Sequence, residues 1–294
     1  MSNSSEIEKA PHLILSRGRI ESEFESPVFA VEPFDRAVLS WNSTGPASFE
    51  IEINGARHVI GKWGIKPEGQ KSPTVDVDTL SLDRPADSIR FHVQPEHGAQ
   101  IRLVALTYWK HGEFQAFSAR PSAAWGSILP VPERSQMVEA VDALRICSPT
   151  STAMVLEFHG VLRSTREIAE GVYDHAQNVY GNWPFNTAHI YRVSGLESFV
   201  RHGSGLDDLE NEISAGRPVI IGHRWSRGEL DHAPIAESSG HLIVVIGFTE
   251  SGDVVVNDPA GQPGSVRRVY KRKQIHHTWL ERGSGIMYVV NSRH

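Results

Sequence analysis

"ICSPTSTAMVLEFHG" (Ile146–Gly160) holds the only cysteine of the chain. Ser148 reads as a helix N-cap, and Pro149, which has no N–H to leave unpaired, suits the first helical position. Ala153, Met154, Val155 and Phe158 recur at spacings that bury one side of a helix, and Gly160 ends it. Cys147 then stands just outside the first turn. There the positive end of the helix and its unpaired N–H groups stabilise a thiolate, the attacking form of the side chain. The plainer reading of a lone cysteine is a small buried hydrophobe. Residues far along the chain decide between the two.

Outward from this helix, Ser-Thr-Arg-Glu (164–167) carries the spacing of a capping box and predicts a second helix. A third is expected from about Leu206 to Ala215, stopped by Gly216. Strands follow: PVIIGHRW (218–225), HLIVVIGF (241–248), DVVVND (253–258), with Ser251-Gly252 as a turn, then Val266–Tyr270, a short helix near Lys271–Leu280 and IMYVV (286–290). Helices followed by a run of strands read as α+β.

His241 opens the most apolar of these strands and Asp258 ends the next. Antiparallel pairing sets the start of one strand beside the end of its neighbour, so imidazole and carboxylate come within reach. A thiolate nucleophile needs a base, and the base needs an acceptor that orients it. Cys147, His241 and Asp258 supply these types. Each also has a bland reading: His241 as a core histidine, Asp258 as the closer of an Asn-Asp-Pro turn. Asn257 stands beside Asp258 at the same strand end. His223 and Trp225 at a strand end, together with Trp183, are candidates to line a substrate cleft.

The first half differs. Short alternating runs such as SFEIEI (48–53), followed by Asn54-Gly55 and RHVI (57–60), predict hairpins. With PVFAVEP (27–33), RAVLSW (36–41), SIRFHV (88–93) and QIRLVALTYW (100–109), they predict an all-β antiparallel sandwich. Trp41, Trp63 and Trp109 fit either its core or a carbohydrate-binding face. The expected division is an accessory sandwich over 1–118, a Pro- and Ser-rich linker over 119–134 and an α+β domain over 135–294.

The totals narrow the function classes. A net charge of −6 over 294 residues gives no basic surface for nucleic acid. No apolar run is long enough to predict a membrane span. The start, MSNSSEIEKAPHL, has no secretory pattern, which fits a cytoplasmic chain or a mature secreted form. One cysteine excludes an intrachain disulfide. Fifteen histidines invite a metal reading, yet His223, His232 and His241 follow no ligand spacing, and His276-His277 diverge on a helix. No metal and no other cofactor is expected.

The segments "CSPTSTAMVLEFHG", "AGRPVIIGH", "GHLIVVIGF", "GDVVVNDPA" and "RRVYKRKQI", in this order, resemble the papain-like cysteine peptidases. Within them the chain is most similar to the branch of bacteriocin leader-processing peptidases, over residues 130–294. The resemblance implies a papain-like catalytic domain, with Cys147 as nucleophile, His241 as general base and acid, and Asp258 as orienter, Asn257 being the alternative in that role. It implies Gln136 as the oxyanion donor that acts beside the Cys147 N–H. The family's more familiar Cys-Gly is Cys-Ser-Pro here, the mark of a side branch. The implied activity is hydrolysis of a peptide or amide through a thioester. The same chemistry would serve an acyl transferase or a deamidase, and a papain-like scaffold without turnover would bind a peptide or glycan. The first domain would dock a glycan or protein target. Transporter-fused members process leader peptides, but no membrane part is read here, so that substrate is not carried over.

Overall fold

The computed structural model describes residues 4–64, 74–139 and 142–291. Strands β1 to β9 pair antiparallel with their neighbours, as do β11 to β15 with theirs, and the chain forms two compact units. One comprises residues 1–113 and 174–202, the other 114–173 and 203–294. The single break expected near 119–134 therefore does not describe the division. Residues 174–202, expected in the catalytic half, belong to the first unit, and 114–118 belong to the second.

The first unit opens with nine strands: β1 (Ser4–Ala10), β2 (Leu13–Ile20), β3 (Phe24–Glu25), β4 (Phe29–Ser43), β5 (Ala47–Ile53), β6 (Ala56–Trp63), β7 (Val75–Asp76), β8 (Thr79–Pro95) and β9 (Ile101–Trp109). Their main path runs β1-β2-β9-β4-β8-β5-β6. β5 alternates buried and half-buried residues along its whole length, as a strand with one face in a core must. Asn54 and Gly55, at φ 51° and 78°, make the expected hairpin to β6. Trp41 stacks on Phe49 with ring centroids 3.8 Å apart. Trp41, Trp63 and Trp109 are all buried, so they belong to the interior and not to an exposed aromatic face.

The second unit is built around α1 (Cys147–Phe158), whose residues from Ser148 to Leu156 are all buried. The sequence suggested one buried side. Serines and threonines on the remaining sides are also enclosed, because they find partners: Ser151 Oγ donates to the Leu242 carbonyl and Ser148 Oγ bonds the Tyr288 hydroxyl. The helix begins two residues earlier than expected, at Cys147 itself. Pro149 still fits, since its position in the first turn needs no N–H. α2 (Thr165–Val172) starts from the Ser164–Glu167 capping box. α3 (Trp183–Ser194) and β10 (Ser198–His202), in the first unit, went unread in the sequence. Asn182 caps α3, Pro184 follows in its first turn, and Gly195 at φ 72° ends it.

α4 (Leu206–Ser214) then leads to β11 (Val219–Trp225), β12 (Ser238–Phe248), β13 (Val254–Asn257) and β14 (Arg267–Tyr270). A short α5 (Arg272–Ile275) runs into a π-helical turn over His276–Glu281, and β15 (Ile286–Val290) completes the unit. The strands lie in the order β15-β11-β12-β13-β14. The segment expected to be a linker is bound along β12: Leu129 N donates to Ile246 O, and Phe248 N to Ser127 O. Gly247 permits this, since a Cβ there would stand 2.1 Å from the Ser127 carbonyl oxygen. Among the described residues no helix is long and apolar enough to cross a membrane.

Candidate active site

Val244 of β12 pairs with Asn257 of β13, so the residue after β13 comes alongside the middle of β12, two residues from His241. That register brings His241 and Asp258 together: His241 Nε2 donates to Asp258 Oδ1 at 2.7 Å, with both side chains buried. The other ring nitrogen is left for Cys147, whose thiol His241 hydrogen-bonds. Cys147 is half-buried, in contrast to its partners.

Asp258 is held from three sides. Besides His241, the Ala260 N–H donates to Oδ1 at 3.0 Å and the Tyr270 hydroxyl donates to Oδ2 at 2.7 Å. Burial works against its charge, but the His241 imidazolium and the Tyr270 hydroxyl prevail and hold the carboxyl down at about 2. Burial likewise opposes charge on His241, and Asp258 and the thiol overcome it, pushing the imidazole up to about 10. Burial raises the Cys147 thiol, yet the hydrogen bond and charge of His241, with backbone hydrogen bonds from Leu242 and Ser148, hold it below its ordinary value. The three groups favour a thiolate facing an imidazolium that a carboxylate steadies.

Asn257 is committed elsewhere. Its amide donates to the carbonyls of Val131 and Pro132, both at 3.1 Å. Gln136 lies buried in a 3₁₀ turn, and its backbone N–H donates to Pro259 O, one residue beyond Asp258. Its Nε2 donates to Ala143 O at 2.7 Å, and its Oε1 has no partner among the described residues. Of the loop expected to separate it from Cys147, residues 140 and 141 lie outside the described residues.

His223 stands directly across the β11–β12 pair from His241, with ring centroids 5.8 Å apart. Its Nδ1 bonds Thr278 Oγ1 at 3.2 Å. Burial foremost, then the charge of His241, lowers it to about 3, so it is a neutral wall. The Trp225 ring meets His241 edge-on at 5.8 Å. Trp183 opens α3 in the first unit, where its backbone N–H donates to Asp78. Tyr270 is the group that sequence reading missed. It ends the "RRVY" segment quoted above, but nothing in that string says its hydroxyl turns toward Asp258.

A thiol at a helix start, an imidazole against it and a carboxylate behind the imidazole are the side chains that cysteine peptidases use. The chain belongs to the Peptidase_C39 like family, whose model matches residues 128–287, more than half of its length. Solved structures that the chain matches include one from Bacillus anthracis described as a C39-like peptidase, at 19% identity and TM-score 0.44, covering 57% of this chain and 98% of that one. Another is the double glycine motif protease from an AMS/PCAT transporter, solved with its leader peptide, at 17% identity and TM-score 0.36, covering 60% and 100%. A third is the peptidase domain of Streptococcus ComA, a bi-functional ABC transporter, at 14% and 0.37, covering 57% and 98%. No curated protein matches the chain.

Proposed function

We propose that the chain is a cysteine peptidase or closely related amide hydrolase that works through Cys147, His241 and Asp258. The observation that carries this reading is the run of hydrogen bonds from the thiol through His241 to Asp258, anchored at its far end by Tyr270. The Cys147 sulfur attacks the acyl carbon of the substrate. The His241 imidazolium then gives its proton to the leaving amine, and the acyl group stays on sulfur as a thioester. Water, deprotonated by the now neutral His241, displaces the sulfur and releases the acid. Asp258 keeps the ring oriented and its charge stabilised through both steps.

The backbone N–H of Cys147, in the first turn of α1, is the first oxyanion donor on this reading. Gln136 is the second, through the Nε2 hydrogen that Ala143 leaves free. Trp225 and the neutral His223 shape the wall beside the base. The first unit, with its alternating strands, is an antiparallel sandwich accessory to the hydrolase.

A library of internally quenched peptides tests the proposal, together with mass spectrometry of the quenched reaction. Cleavage with a transient acyl adduct on Cys147, both lost in Cys147→Ala and His241→Ala, is the expected result. Cleavage that survives Cys147→Ala refutes it.

A further inference from the structure

Beside His241 the second unit has an open cleft of about 370 Å³ lined by Arg224, Trp225, Ser226, Glu237, Ser238, Ser239 and Arg282. Trp225 is the wall it shares with the catalytic imidazole. Its rim is strand β12, which reaches His241 through Ser238, Ser239 and Gly240.

The rim is irregular. His223 pairs with His241 and Trp225 with Ser238, so β12 uses three steps where β11 uses two. Such a bulge lifts an extra residue out of the ladder and re-aims its neighbours, a feature common beside active sites. The extra residue falls at Ser239–Gly240, both exposed. Gly240 has no left-handed φ, and no described atom lies within 4 Å of where its Cβ would stand. The fold thus gives no reason for glycine, while a peptide passing His241 into the cleft would gain room from it.

The charges across the cleft are not equivalent. Arg282 is engaged: its Nε lies 3.2 Å from Glu229 Oε2 and its NH2 donates to Ser226 Oγ. Arg224 donates through Nε to the Arg282 carbonyl, which fixes the plane of its guanidinium. Among the described residues no carboxylate pairs with Arg224, and none of the cations pairs with Glu237. A guanidinium held by one edge presents the other two nitrogens to a carboxylate. Glu237, on the opposing loop, repels a carboxylate and so limits the gain.

We propose that this cleft is the subsite for a carboxylate-bearing side chain of the peptide substrate, with Arg224 as the receiving group. The proposal rests on the reading of Cys147 as nucleophile. It makes Arg224 a specificity-determining residue and Glu237 its counterweight.

Bromoacetyl dipeptides bearing Asp, Ala or Lys test it on the full chain without knowledge of the natural substrate, since each alkylates Cys147 from within the cleft. The wild type is expected to react about tenfold faster with the Asp than with the Lys reagent, the size of one exposed charge-assisted hydrogen bond. Arg224→Gln brings that ratio to about one, Arg224→Glu inverts it, and Glu237→Gln increases it, whereas Arg227→Gln, outside the cleft, leaves it alone. Equal rates for the three reagents in a wild type whose thiol reacts rapidly with iodoacetamide overturn the subsite and leave the nucleophile standing. A thiol that reacts with iodoacetamide as a free cysteine does overturns the nucleophile, and the subsite with it.

Discussion

Tyr270→Phe removes one hydroxyl and leaves the ring in place. The group lost is a donor 2.7 Å from Asp258 Oδ2 at a fully buried carboxylate, so Oδ2 keeps no replacement among the described residues. A hydrogen bond to a buried charge contributes about 1.5–3 kcal/mol, and removal of one partner costs at least that. We therefore expect a loss of about 2 kcal/mol at neutral pH, a factor of about 30 in the folding equilibrium. In urea this is a midpoint shift of about 1 M in the transition that unfolds the second unit. A double-mutant cycle isolates the cause. With Asp258→Asn the acceptor is no longer charged, so the same Tyr270→Phe change should cost about 1 kcal/mol less. A cost below about 0.5 kcal/mol, or an equal cost in both backgrounds, would refute the claim that Tyr270 anchors Asp258 as a carboxylate.

Stability should be lost at both ends of the pH scale for separate reasons. His241 is raised to about 10, so its contribution is complete below its ordinary value near 6.5 and drains as pH climbs through 10; denaturant titrations of His241→Ala should lack that alkaline limb. Asp258 is lowered to about 2, so its contribution is present above about 3.8 and disappears as pH falls through 2. Arg272→Met leaves Glu210 buried without its 2.6 Å partner, and should destabilise the second unit by about 3–5 kcal/mol in the same titrations. Gly247→Ala drives a methyl group into the Ser127 carbonyl, and limited proteolysis should then cut within 119–134 faster than in the wild type.

The candidate site was largely readable because its parts sit at element boundaries. A strand that carries His241 in its first half and one that ends before Asp258 bring the two residues together if they pair antiparallel, although β12 opens at Ser238, three residues before His241. Tyr270 was not readable, since a tyrosine closing a strand looks the same whether its hydroxyl faces solvent or a carboxylate. α3 escaped for another reason: Asn182, Pro184 and Gly195 mark its ends, but Trp183, Phe185 and Tyr191 obscure a helical period. Its membership of the first unit is a tertiary fact that no local pattern carries. The segment over 119–134 has a linker's composition, and only Gly247, distant in sequence, reveals that it lies against a strand.

Ionisation of Cys147 by His241 can be followed through the rate of iodoacetamide alkylation against pH. In the wild type the thiol should react at full rate well below the ordinary cysteine value of about 8.5, with the rate changing again only near pH 10, where His241 loses its proton. His241→Ala should return the profile to that of a buried or ordinary thiol. A wild-type thiol that titrates near 8.5, or one whose profile is the same with and without His241, would contradict the account.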